Sequence, residues 1–88
     1  MFAAAYQTRG FARSNIGDFK EAIEDFNIAL DCLERGNIAK RSQILYQRGY
    51  AYMRLGEKAE ACNDGKESLQ LNPANDRAGW LVRMTCED

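Results

Sequence analysis

The chain has 88 residues, 45% of them hydrophobic and 28% charged, with twelve Lys and Arg against thirteen Asp and Glu, a net charge of −1 and no histidine. That is one small globular domain, expected to bury roughly 63–65% of its unfolded surface, with no room for a second core and no resemblance to a disordered composition. Near-neutral charge withholds the polyelectrolyte attraction that nucleic acid or an anionic membrane requires, and the missing histidine removes the commonest general base and metal ligand.

The first helix is expected over about 2–16. Its opening stretch, Met1 to Thr8, is uncharged but lacks a basic flank and is interrupted by Gln7. It is too short and polar for a signal peptide or membrane span, so a soluble, cytoplasmic chain is expected. Gly17 suits the left-handed turn that ends this helix, and Asp18, with Glu21 three residues on, is placed to cap a second helix over 18–35. In that helix Phe19, Ala22, Ile23, Phe26, Leu30 and Leu33 mark the buried face of an amphipathic segment. A joint at Gly36-Asn37 leads to a third helix over 38–55. There Tyr46, Tyr50 and Met53 form a stripe at i, i+4, i+7, separate from core-facing Leu45, Gly49, Tyr52 and Leu55. Gly56 with Glu57 and Glu60 repeats the earlier punctuation less fully, since Glu caps poorly, before a fourth helix over 57–71. Pro73 cannot continue a helix and turns the chain into a fifth, over 75–86. No segment alternates as a strand, so the fold class is all-α.

Sliding the chain against itself by 39 residues aligns Arg9-Gly10 with Arg48-Gly49, Ala12 with Ala51, Gly17 with Gly56, Glu21-Ala22 with Glu60-Ala61, Asp25 with Asp64 and Leu30 with Leu69. This is an internal repeat. Tyr6-Gln7-Thr8-Arg9-Gly10 through Gly17-Asp18-Phe19 and Ala22 to Ala29-Leu30 resembles a tetratricopeptide repeat, and Tyr46-Gln47-Arg48-Gly49 through Gly56 and Ala61 to Leu71-Asn72-Pro73 resembles a second. The resemblance implies antiparallel helix-turn-helix pairs stacked as a short superhelix of about five helices within one domain, 1–88. Repeat one would occupy about 3–36, repeat two about 38–74, and a capping or third-repeat helix about 75–86. Gly10 and Gly49 on the first (A) helices would let Ala22 and Ala61 on the second (B) helices approach closely. Phe26 would pack between its own pair and the next helix, and Pro73 would close the second repeat. Arg9 with Asp25, and Arg48 with Asp64, occupy equivalent places and are expected to form an A-to-B ion pair in each repeat.

The sequence also departs from the family. A spacing near 34 residues is usual, so the excess is expected to extend both helices that flank Gly36-Asn37 by part of a turn. Gly65 and Ser68 replace a large aromatic and an alanine, leaving a hole for Trp80 or Met84 to fill. Arg13 stands where repeat two has Tyr52, and its guanidinium is expected to snorkel outward. The last helix, with Gly79, Trp80, Leu81, Val82 and Met84, is too apolar for a simple cap.

In this family the A helices line a concave groove. The matching positions are Gln7, Phe11, Ser14 and Asn15, then Gln43, Tyr46, Tyr50, Met53 and Arg54, then Arg77, Trp80 and Met84. An apolar partner segment is expected there, anchored on Tyr46, Tyr50 and Trp80, with Arg54 and Arg77 steering any acidic end. The competing possibility is that the chain's own neighbouring helix covers these aromatics. Gln7, Phe11, Tyr50, Trp80 and Met84 stand at the positions of the family's two-carboxylate clamp, which disfavours that specificity. Cys32, Cys62 and Cys86 are an odd number without a close pair, read as unpaired small hydrophobes in a reducing compartment, with Cys86 the reactive one. Asn63-Asp64-Gly65 is too short a fragment for a calcium loop, and Ser14, Ser42 and Ser68 lack any histidine to activate them. Hence no cofactor, metal, nucleic-acid or membrane partner and no catalysis are expected. Two functions compete: a protein- or peptide-binding module, and a self-associating segment, such as a homodimer or part of a longer solenoid, that uses the apolar last helix.

Overall fold

The computed structural model describes residues 2–86, which form the helices α1 (Ala3–Asn15), α2 (Phe19–Cys32), α3 (Ile38–Arg54), α4 (Lys58–Leu71) and α5 (Asp76–Thr85). Gly17 and Gly56, at φ 91° and 83°, take the left-handed conformation that a side chain would oppose. Each ends its helix in the same way. Gly17 N–H donates to Ser14 O and Asp18 N–H to Arg13 O, while Gly56 N–H donates to Met53 O and Glu57 N–H to Tyr52 O. These paired bonds are the Schellman closure. Asp18 and Glu57 therefore act through their backbone on the preceding helix, and neither side chain caps the following one. True side-chain caps come from Asn37, whose Oδ1 accepts from Lys40 N–H, and Asn75, whose Oδ1 accepts from Ala78 N–H.

The extra length between repeats is not shared as the spacing implied. α2 stops at Cys32, and the surplus goes to the turn at 33–37 and to the first turn of α3, which begins four residues ahead of the register set by Ala3 in α1.

α1 packs on α2 and α3 on α4; α2 also lies against α3, and α5 covers α4 with a smaller contact on α3. Fully buried Phe26 sits with Ala22, Ala29 and Ile44 at the centre of the first layer, flanked by Tyr6, Leu30 and Leu33. Close approach is obligatory at two glycines. A Cβ on Gly10 would lie 2.8 Å from the Phe26 ring, and one on Gly49 would lie 2.7 Å from Leu81 Cδ2 and 2.9 Å from Asp64 Cβ.

The face of α4 turned inward is small and polar: Ala61, Asp64, Gly65 and Ser68. The space beside Gly65 is filled by Val82 Cγ2, 3.0 Å from where a Cβ would stand, and by Leu81. Trp80 and Met84, the expected fillers, remain 36% and 50% exposed because they project from the other side of α5. Ser68 is fully buried and exchanges hydroxyl-to-carbonyl bonds with Ser42 at 2.9 and 2.7 Å. Asn75 Nδ2 donates to both hydroxyls, tying the start of α5 into the same network.

The cysteines also differ from expectation. Cys62 and Cys86 are joined by a disulfide, and Cys32 is exposed. The 24-residue separation becomes short only because α5 folds back along α4, bringing the two Cα atoms to 5.0 Å. Cys86 is consequently not a free thiol, and a cytoplasmic setting loses the support it drew from three unpaired cysteines.

Candidate functional site

The A helices are held in place by ion pairs on the B helices. Arg9 donates through Nε and Nη2 to the Asp25 carboxylate at 3.0 and 2.8 Å. Arg48 does the same to Asp64 at 2.8 and 2.7 Å, and its Nη1 reaches Asn27 on α2 at 2.9 Å. Both carboxylates are nearly inaccessible, at 1% and 4% exposure. Two-point pairing of this kind fixes orientation as well as distance. The hydrogen bonds that Arg48 donates to the Asp64 carboxylate raise the Arg48 pKa above its ordinary value against the opposing effect of burial. Arg13 does not snorkel. Its Nη1 turns onto Asp25 Oδ2 at 3.2 Å, because the carboxylate on the neighbouring helix has a lone pair left to offer.

With α3 so fixed, its aromatic stripe faces the same side as α1 and α5. Tyr46 and Tyr50 stand 6.4 Å apart by ring centroids, and Tyr50 and Trp80 the same distance. Phe11, Ser14, Asn15, Tyr46, Gln47 and Tyr50 line a depression of about 270 Å³ between α1 and α3. Burial pushes the Tyr46 phenol pKa up, with the Arg77 charge pulling it partly back. A neighbouring depression of about 300 Å³ is lined by Gln7, Thr8, Phe11, Lys40, Gln43, Gln47 and Arg77. Gln7 is mostly buried, and its Nε2 donates to Gln47 Oε1 at 3.0 Å across the two helices.

The candidate groove residues thus fall into groups. Phe11, Asn15, Tyr46, Tyr50 and Trp80 come together as an aromatic row with a polar end. Gln7, Gln43 and Arg77 gather at the second depression. Arg54 is engaged elsewhere: Nη1 donates to the Tyr50 hydroxyl at 2.9 Å, and its guanidinium lies 5.1 Å from the Phe19 ring centroid and 5.9 Å from that of Tyr50. These contacts brace the aromatic row. Met53 and Met84 line neither depression. Gln47 and Lys40 were not singled out in the sequence, although Lys40 lies three residues before Gln43, one helical turn back along the same face.

Among the described residues no three His, Cys, Asp or Glu side chains gather as a metal site, and no helix is long and apolar enough to cross a membrane. Every fully enclosed side-chain nitrogen or oxygen among them has a hydrogen-bond partner.

Residues 3–31 and residues 42–75 each match a model of the tetratricopeptide repeat. The chain is also similar to two proteins described as photosystem I assembly protein Ycf3. That of Prochlorococcus marinus is 32% identical over 71 residues, and that of a Synechococcus species 34% identical over 71 residues. Each alignment covers 81% of this chain and 40% of the relative, so the chain spans well under half the length of these curated relatives.

Proposed function

The chain belongs to the tetratricopeptide repeat family, and from that premise we propose that it is a non-catalytic protein–protein interaction module whose concave face holds a peptide or partner segment on an aromatic row. The observation that carries this is the continuous row Tyr46, Tyr50 and Trp80 beside the depression shared with Phe11, on helices that ion pairs hold in register. Large, rigid, half-exposed aromatics supply contact area at low entropic cost, which is why they concentrate in binding surfaces. The relatives' names describe an assembly protein, and an adaptor that holds a protein partner during assembly is the corresponding role for this chain.

The test is Tyr50→Ala. Binding of peptides carrying one apolar anchor should fall at least about tenfold, as expected for an aromatic anchor, while the mass by light scattering stays unchanged. Undiminished binding would remove the groove from the function.

A second reading, pairing with another copy, is favoured by one observation. Phe2 on the α1 side is 72% exposed and Met84 on α5 is 50% exposed, leaving apolar surface at each end of the stack. Trp80→Glu is the informative variant there, giving a monomer if α5 pairs. Leu81→Glu is not, because Leu81 is fully buried against Gly49 and Gly65.

A further inference from the structure

We propose that the groove contains a subsite for an acidic side chain, built by Lys40 and Arg77 around Gln43, so that its partner is an extended segment with an apolar residue close to an Asp or Glu. This rests on the groove reading and adds the partner's charge to it. The second depression shares Phe11 and Gln47 with the aromatic one, so a single segment can occupy both. Its lining carries two cations and no carboxylate, although acids outnumber bases in the chain as a whole.

Those two cations are also unspent. Among the described residues Arg9, Arg13 and Arg48 are bound by carboxylates, whereas Lys40 and Arg77 form no ion pair. Arg77 lines the second depression together with Phe11 and Gln47, which also wall the aromatic one, and its charge acts on the Tyr46 phenol. Lys40 has a different origin from the rest of the groove, since it lies on the extra first turn of α3 that the 39-residue repeat adds. That turn contains no acidic residue. A lysine there opposes the helix dipole instead of complementing it, an arrangement that a bound anion would relieve. Exposed Gln43 offers both a donor and an acceptor for the backbone of the segment.

The carboxylate is assigned to a side chain within the segment, because the two depressions share Phe11 and Gln47 as walls and one segment crossing both carries the acid between its ends. The probes are twelve-residue amidated peptides with one central Phe and a Glu, Gln or Lys placed one to four residues to either side, followed by fluorescence anisotropy. The best Glu peptide should bind about tenfold tighter than its Gln counterpart at low salt, and the preference should shrink at high salt. Lys40→Ala and Arg77→Ala should each weaken the Glu peptide about threefold and leave the Gln peptide unchanged. Equal binding of Glu and Gln peptides, or a preference that survives the double variant, overturns the subsite. So does equal binding of a Gln peptide with a free C-terminal carboxylate, since the site would then take a chain end. Binding that ignores Tyr50→Ala but keeps its Glu preference overturns the groove reading alone, and binding of no peptide overturns both.

Discussion

Gly49→Ala is the most direct perturbation of the geometry that places the aromatic row. The added Cβ would stand 2.7 Å from Leu81 Cδ2, 2.9 Å from Asp64 Cβ and 3.3 Å from Ala61 O. Leu81 cannot swing away, since it is fully buried, and Asp64 is held by both nitrogens of the Arg48 fork. The Ala61 carbonyl is α4 backbone, so α3 and α4 must separate. Helix propensity favours the variant by about 1 kcal/mol. Overpacking at three such contacts costs about 3 kcal/mol, leaving a net loss near 2 kcal/mol. For a domain of this size that lowers the melting temperature by roughly 8–16 °C. Thermal unfolding by far-UV circular dichroism reads it directly, with Gly36→Ala as the control, because nothing lies within 4 Å of a Cβ there. A Gly49→Ala protein that melts at or above the parent temperature would refute the close approach, and with it the register that sets Tyr46 and Tyr50 beside Phe11.

Closing the loop between Cys62 and Cys86, 24 residues apart, should contribute about 3.5 kcal/mol by loop entropy. Cys86→Ser, or a thiol reductant on the parent protein, should lower the melting temperature accordingly; identical melts with and without reductant would show that α5 does not depend on the bond. Asp64→Asn should destabilise by about 1–2 kcal/mol and melt below Asp25→Asn, because the Arg48 side chain is 22% exposed while Arg9 and Arg13 are 54% and 34% exposed and regain water more readily. Burial raises the Tyr46 phenol above its ordinary pKa of 10.0. The folded state then holds the proton longer than the unfolded chain, so this contribution is fully present below pH 10 and is lost as pH rises through the higher folded value. Tyr46→Phe should flatten the fall in denaturation midpoint above pH 10, and an unaltered slope would contradict the burial.

The five helices were legible because their signals are local. Gly17 and Gly56 sit where the backbone needs positive φ, and the spacing of Ala22, Ile23 and Phe26 encodes one buried face. What failed depends on which neighbour arrives. Asp18 looks like a cap in sequence, yet its N–H is taken by Arg13 O and its side chain is left out. The void at Gly65 was visible, but whether α5 turns Trp80 or Leu81 toward it depends on rotation of that helix, which its apolar composition does not specify. The disulfide escaped for the same reason, being a product of how α5 folds along α4.

The candidate groove shows the same division. Tyr46 and Tyr50 could be placed together from helical spacing alone, whereas the second depression needed α1, α3 and α5 at once. The contacts of Arg54 were not legible, because its partners are Tyr50 one turn away and Phe19 on another helix, neither of them an acid. Arg13 was misjudged in the opposite sense, being drawn in by Asp25.

The most direct test of the proposed binding face is a backbone amide NMR titration of the 88-residue chain with the tightest Phe–Glu peptide. Shift changes are expected around Phe11, Tyr46, Gln47, Tyr50 and Trp80, with Lys40 and Arg77 responding at the acidic end, while the outer faces of α2 and α4 stay silent. Changes confined to α2 and α4, or to Phe2 and Met84 at the ends of the stack, would contradict a concave protein-binding face.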